Sequence, residues 1–218
     1  MRPLKHSVPI GAIALLLSAS GVTRAQNPGP GAVATPWITP PPGNVGTWGV
    51  ARGGRIIALE RCARGSRGPG AVSCQVRMSL TDDRGLHWRG VRWNEWQFGT
   101  AIAFDPTSDF GVLIGNNGML AVTEDRGESW TIRRDNVGQM LTSVAVVGRT
   151  VAFGDDGGGV WVSFDGGISV RTLAEGGNGR AATITVERGA IWILVGGSFG
   201  APEWWRADAS GNLERVSQ

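Results

Sequence analysis

The sequence predicts an all-β chain organised as a β-propeller, with about four blades of four antiparallel strands each. Three observations carry that prediction. The pattern Ser/Thr-x-Asp-x-Gly-x-x-apolar recurs at TDDRGLHW (81–88), TEDRGESW (123–130) and SFDGGISV (163–170), starting 42 and then 40 residues apart. The text before each copy repeats as well: TSVAVVGRTVAFGDDGGGVWVSFDGG (142–167) matches 100–127 and 182–211. Finally, 35 Gly with only 18% charged residues argues for many tight turns rather than long helices. A self-similar unit of this period, holding four short apolar runs separated by turns, is the mark of a propeller blade.

Taken in order, the chain opens with a segment of another kind. Residues 1–25 carry Arg2 and Lys5, then the apolar run VPIGAIALLL (8–17), then small residues ending in Thr23 and Ala25. This is the three-part form of a secretory signal peptide, and the run is too short to span a bilayer. The expected location is therefore periplasmic or secreted, with no integral membrane segment after cleavage. Residues 26–46 form an N-terminal segment in which Trp37–Thr39 reads as an outer strand donated to close a ring. Residues 47–218 hold the blades, at 47–92, 99–134, 141–174 and 181–217. The fourth carries a weak copy of the motif, RADASGNL, with Asp208 aligned on the motif Asp.

Charge excludes one class of partner. Arg2, Lys5 and Arg24 account for the whole formal charge of +3, so the remainder is neutral and gives no ground for nucleic-acid binding. The balance is uneven, however: nine Arg between 52 and 92 face only Glu60, Asp82 and Asp83. Cys62 and Cys74 are an even pair in an exported chain, which points to a disulfide clamping the loop ARGSRGPGAVS between two strands. Closing a loop of that size contributes about 3 kcal/mol in the chain-entropy treatment.

The motif resembles the Asp-box, or bacterial neuraminidase repeat, of sialidases, sortilin-type propellers, xyloglucan-degrading glycosidases and photosystem II assembly-factor propellers. The resemblance covers about residues 37–217. It is complete at Thr81, Asp83, Gly85, Trp88 and again at Thr123, Asp125, Gly127, Trp130; the third copy keeps Ser163, Asp165 and Gly167 but has Val170 for Trp. In those families the box is a structural hairpin between the third and outermost strands, and ligands bind at the opposite end. The resemblance also implies six or more blades, against about four here, so a compact ring and self-association to complete one are both open.

Catalysis finds little support. The sialidase mechanism needs a Tyr nucleophile, and the chain has no Tyr. Asp155 and Asp156 are adjacent in the Gly-rich turn GDDGGG and read as turn formers rather than opposed carboxylates. Beyond the signal segment His87 is the single His, so neither a His-based triad nor a zinc site can be assembled. No cofactor or metal is expected. What remains is a binding face carrying Arg64, Arg67, Arg89, Arg92, Trp93 and Trp96, residue types that dominate binding hot spots. The expected function is an exported, non-catalytic propeller that binds a protein partner in an assembly or scaffold role. The alternatives are a sialidase-like or other glycoside hydrolase and a carbohydrate-binding propeller.

Intact-mass measurement of exported protein tests the first part of this reading. The chain should begin near Gln26, and reductant should add the mass of two hydrogens as the Cys62–Cys74 bond opens. Two free thiols before reduction would refute it.

Overall fold

The computed structural model describes residues 41, 45–60, 77–91, 93, 99–134, 139–175, 182–196 and 201–216. The signal segment, Trp37–Thr39, both cysteines, Arg64, Arg67, Arg92 and Trp96 lie outside them. Sixteen strands among the described residues form four separate four-stranded antiparallel sheets. Blade 1 is β1 (Val45–Val50), β2 (Ile56–Glu60), β3 (Met78–Thr81) and β4 (Arg89–Val91). Blade 2 is β5 (Gly99–Phe104), β6 (Gly111–Gly115), β7 (Leu120–Thr123) and β8 (Thr131–Arg134). Blade 3 is β9 (Leu141–Val147), β10 (Thr150–Asp155), β11 (Val160–Ser163) and β12 (Arg171–Ala174). Blade 4 is β13 (Ala182–Glu187), β14 (Ala190–Val195), β15 (Glu203–Asp208) and β16 (Leu213–Val216). In every sheet the spatial order follows the chain order. Blade 1 opens at Val45, two residues before the start expected from the repeat.

The first strands line up side by side, β1 beside β5, β5 beside β9 and β9 beside β13, while no comparable contact joins β13 to β1 among the described residues. The four blades thus form an arc. Each joint in it is an apolar layer. Ile57, Leu59, Met78 and Leu80 of blade 1 meet Ile102, Leu113 and Ala121 of blade 2. Val112, Ile114, Leu120 and Val122 on the other face of blade 2 meet Val144, Val146, Val151 and Phe153 of blade 3. Ala145, Ala152, Val160 and Val162 then meet Ile191, Ile193 and Ala207 of blade 4. A strand such as β6 is buried on both faces, which explains why GVLIG reads as a continuous apolar run rather than an alternation.

The box hairpins join the third and fourth strands of blades 1 to 3. In each, the last residue of the third strand supplies a buried hydroxyl. Thr123 Oγ1 accepts the N–H of Gly127 at 2.8 Å and that of Asp125 at 3.3 Å, and donates to Asp125 Oδ1 at 2.7 Å. The Asp125 carboxylate in turn accepts the Ser129 N–H at 2.9 Å. Thr81 with Asp83 and Ser163 with Asp165 repeat this arrangement on the N–H groups of Gly85, His87, Gly167 and Ser169. Every turn donor is satisfied by a side chain two or four residues away, as in Asx and Ser/Thr turns.

Blade 4 departs from the alignment drawn in sequence. Asp208 is itself the last residue of β15, the place held by Thr81, Thr123 and Ser163. Its Oδ1 accepts the N–H groups of Ser210 and Asn212, two and four residues on, at 3.0 and 3.1 Å. Asp208 therefore replaces the box hydroxyl, not the box carboxylate. The repeat had been aligned two residues out because both roles are filled by short oxygen acceptors.

The box glycines Gly85, Gly127 and Gly167 have φ of 90°, 88° and 92°. Two of them also close the joint with the preceding blade. A Cβ on Gly127 would stand 2.7 Å from Ile57 Cγ1, and one on Gly167 would stand 2.6 Å from Leu120 Cδ2. Polar contacts add to the joints. The Gly148 N–H donates to Asp105 Oδ1 across blades 2 and 3 at 2.9 Å, and Thr150 Oγ1 donates to the Asp208 carbonyl across blades 3 and 4 at 2.7 Å.

Gly127→Ala and Gly54→Ala separate backbone strain from crowding. Gly54 has a φ of 82° with open space around it, so its replacement should cost about 1–2 kcal/mol from the left-handed backbone alone. Gly127→Ala should cost about 1–3 kcal/mol more, the price of overpacking. Equal losses by chemical denaturation would refute the close joint.

Acid should weaken the hairpins. At Asp165 burial pushes the carboxyl up, but the Ser169 hydroxyl and N–H outweigh it and bring it down to about 2. At Asp83 the His87 N–H, then the Thr81 hydroxyl, hold the carboxyl well below the ordinary range. A folded-state value below the unfolded one gives stability that is present above the unfolded value and lost as pH falls through the folded one. The melting temperature should therefore drop between the ordinary aspartate value of 3.8 and about 2. Asp165→Asn should be less stable at neutral pH and should flatten this acid slope; an unchanged slope would refute the assignment.

Candidate functional site

The two ends of the arc differ in chemistry. At the box end, charged side chains tie neighbouring blades. Arg55 is 7% exposed. Its guanidinium grips Asp82 through Nε at 2.6 Å and Nη2 at 3.0 Å, and reaches Glu128 of the blade 2 box through Nη1 at 2.7 Å. Arg89 pairs with the same Glu128. The Arg89 hydrogen bond is the main reason the Glu128 carboxyl is lowered; burial opposes it and Arg55 adds to it. Arg52 bonds Asp109 at 3.1 Å, and Arg149 of blade 3 pairs with Glu124 of blade 2 while lying 4.6 Å from the Phe110 ring centroid.

This places two of the expected binding residues. Arg89 opens β4 directly after the box hairpin and is engaged in an inter-blade ion pair, so it stands at the box end rather than on a rim with the Cys62–Cys74 loop. The local reason is that β4 begins at Arg89, where the sequence had suggested an inter-blade connection. Trp93 packs against the joint between blades 1 and 2, with its ring edge-on to Trp130 at 6.3 Å. Trp130 also meets Phe104 at 6.1 Å and donates its Nε1–H to the Gly127 carbonyl at 3.2 Å. Arg64, Arg67, Arg92 and Trp96 fall outside the described residues.

At the opposite end, blades 2 and 3 present a loop cluster held by its own backbone. The turn Asn116–Gly118 follows β6, with the Met119 N–H donating to the Asn116 carbonyl at 3.0 Å. Gly118 N–H donates to the Gln139 carbonyl at 2.5 Å, and Asp156 N–H donates to the Met140 carbonyl at 3.1 Å. The connection into β9 is thus pinned from both sides, by blade 2 and by blade 3. Thr100 Oγ1 lies 2.5 Å from the Leu141 carbonyl and fixes the next residue too. The pinned segment carries Met140, a large apolar side chain left 43% exposed.

Asp155 ends β10 inside this cluster and is 7% exposed. Its Oδ1 accepts the Gly159 N–H at 2.7 Å, closing the turn GDDGGG, while its Oδ2 is buried with no partner. Below the turn, the Phe153 and Trp161 rings stack at 5.6 Å with planes 20° apart. A sealed oxygen is not placed to exchange protons with a bound substrate, so Asp155 acts on the turn. Among the described residues no three His, Cys, Asp or Glu side chains stand together as a metal site would need. No helix among them is long and apolar enough to cross a membrane.

The sequence matches no protein-family model and no curated protein. Solved structures are similar in fold. YCF48 from Cyanidioschyzon merolae matches with a TM-score of 0.53 at 13% identity, over 82% of this chain and 69% of that one. A structure of YCF48 bound to D1 peptide matches with a TM-score of 0.50 at 13% identity, over 82% of this chain and 70% of that one. The GH74 xyloglucanase from Xanthomonas campestris gives 0.52 at 15% identity, over 80% of this chain and 31% of the enzyme. These likenesses establish the β-propeller fold. At such identities they assign no chemistry.

Proposed function

We propose that this chain is an exported, non-catalytic propeller whose loop end binds a protein partner. The observation that carries the reading is the pinned connection at blades 2 and 3. Backbone hydrogen bonds from both neighbouring turns hold Gln139 and Met140 in place, and Met140 is presented to solvent. An apolar side chain on a backbone already ordered loses little freedom on docking, which favours association. The similar YCF48 fold, in a structure bound to D1 peptide, supports a peptide or protein as the ligand class. The arginines of the Cys62–Cys74 loop would add an acidic preference to the partner and speed encounter at low salt. The likeness to GH74 xyloglucanases supports a glycosidase less well, because the described loop-end carboxylate Asp155 has one oxygen in the turn and the other sealed.

Capture from native extract, followed by binding kinetics, tests the reading. Met140→Asp should raise the off-rate of the captured protein at least about tenfold, a loss of about 1.4 kcal/mol, with no change in melting temperature. Arg89→Ala, at the box end, should leave the off-rate unchanged. The reverse pattern would move the site to the box end. Release of reducing sugar from xyloglucan by the purified chain would replace the reading with an enzymatic one.

A further inference from the structure

Blades 2 and 3 are apolar on both faces because each is packed on both. Blade 4 is also apolar on both faces, yet only one of them meets a neighbouring blade. Ile184, Ile191, Ile193, Trp205 and Ala207 pack on blade 3. The opposite face is given by the register of the sheet. Thr183, Leu194, Trp204 and Val216 form one row across the four strands, and Thr185, Trp192, Arg206 and Glu214 form the next. Trp192, Leu194, Trp204 and Val216 are all partly exposed. No comparable contact brings β13 to β1, so blade 1 does not close over this face.

We propose that this face docks on the same face of a second copy of the chain, giving a two-fold dimer joined back to back through blade 4. Two features select that occupant. The first is charge. The face carries one cation and one anion, Arg206 and Glu214, whose Nη1 and Oε1 lie 2.9 Å apart. A face with one charge of each sign is its own electrostatic complement, as an isologous contact requires. The second is the state of the far side of blade 1, which a head-to-tail contact would need. There Ile56, Ala58 and Ser79 are already buried at 2%, 0% and 5%, with Val50 at the margin 40% exposed. Blade 4 therefore offers the open apolar sheet face, and a second blade 4 is the surface that matches it. The contact continues the one that joins blades within the arc, an apolar layer between two twisted sheets. Four strands span only about 15 Å, less than a standard interface needs, so the dimer forms with rising concentration and is not permanent.

Sedimentation of the purified chain over a range of concentrations tests this. Each chain has a mass of 22.9 kDa, and the measured mass should rise from one chain to two and stop there. Arg206→Glu and Glu214→Arg each leave the face with two charges of one sign. Each variant alone should weaken association at least about tenfold, and an equimolar mixture of the two should recover the dimer. Both positions are at the surface, so folding is preserved and circular dichroism checks it; Trp204→Glu should also give a monomer. A wild type that stays monomeric throughout overturns the proposal. So does growth beyond two chains, which is the head-to-tail outcome, or a dimer that neither charge reversal weakens.

Discussion

A buried hydroxyl at the end of the third strand is the constraint on which the blades depend. Thr81, Thr123 and Ser163 are each 1% exposed, and a hydroxyl so placed must be satisfied inside the protein. It accepts two turn N–H groups and gives its own hydrogen to the box carboxylate. That leaves one geometry for the hairpin, with glycine at the left-handed position and its bare Cα turned to the preceding blade. A short polar motif thereby sets both the turn within one blade and the distance to the next. In blade 4 a carboxylate takes over the hydroxyl's acceptor role at Asp208, and the turn is shorter, but the i+2 and i+4 donors are the same.

The fold was legible because its information is local and repeated. Each box lies within eight residues, each blade is contiguous, and three copies in register leave little freedom in placing the strands between them. The alignment of Asp208 failed where the repeat is weakest, since a lone Asp in a Gly/Ser turn can fill either acceptor position. The site was less legible for a physical reason. Whether Arg89 reaches solvent or an ion pair depends on Glu128, 39 residues away in the next blade, and no periodicity in the text encodes that meeting. The turns GNNG and GDDGGG were visible as loop-end candidates, but the role of Met140 follows only from two backbone hydrogen bonds that converge on its neighbours.

The two ends of the arc divide the work. At the box end, charged groups are spent on one another across the joints, with Arg55 bridging Asp82 and Glu128. At the loop end, backbone groups hold the turns, so side chains such as Met140 are left uncommitted. Rigidity at one end and availability at the other are both consequences of short antiparallel strands whose connections alternate between ends.

Every described blade completes its four strands from one stretch of chain, and no strand is exchanged with a neighbour. A unit of about forty residues therefore carries its own sheet, its own turn and one half of each joint. Gain or loss of such a unit by recombination would leave the remaining sheets intact and renew the same kind of joint at the break. In an architecture of this kind, copy number is the quantity most easily altered over descent, and arcs of different length can arise from one ancestral text without any change in how a single blade folds.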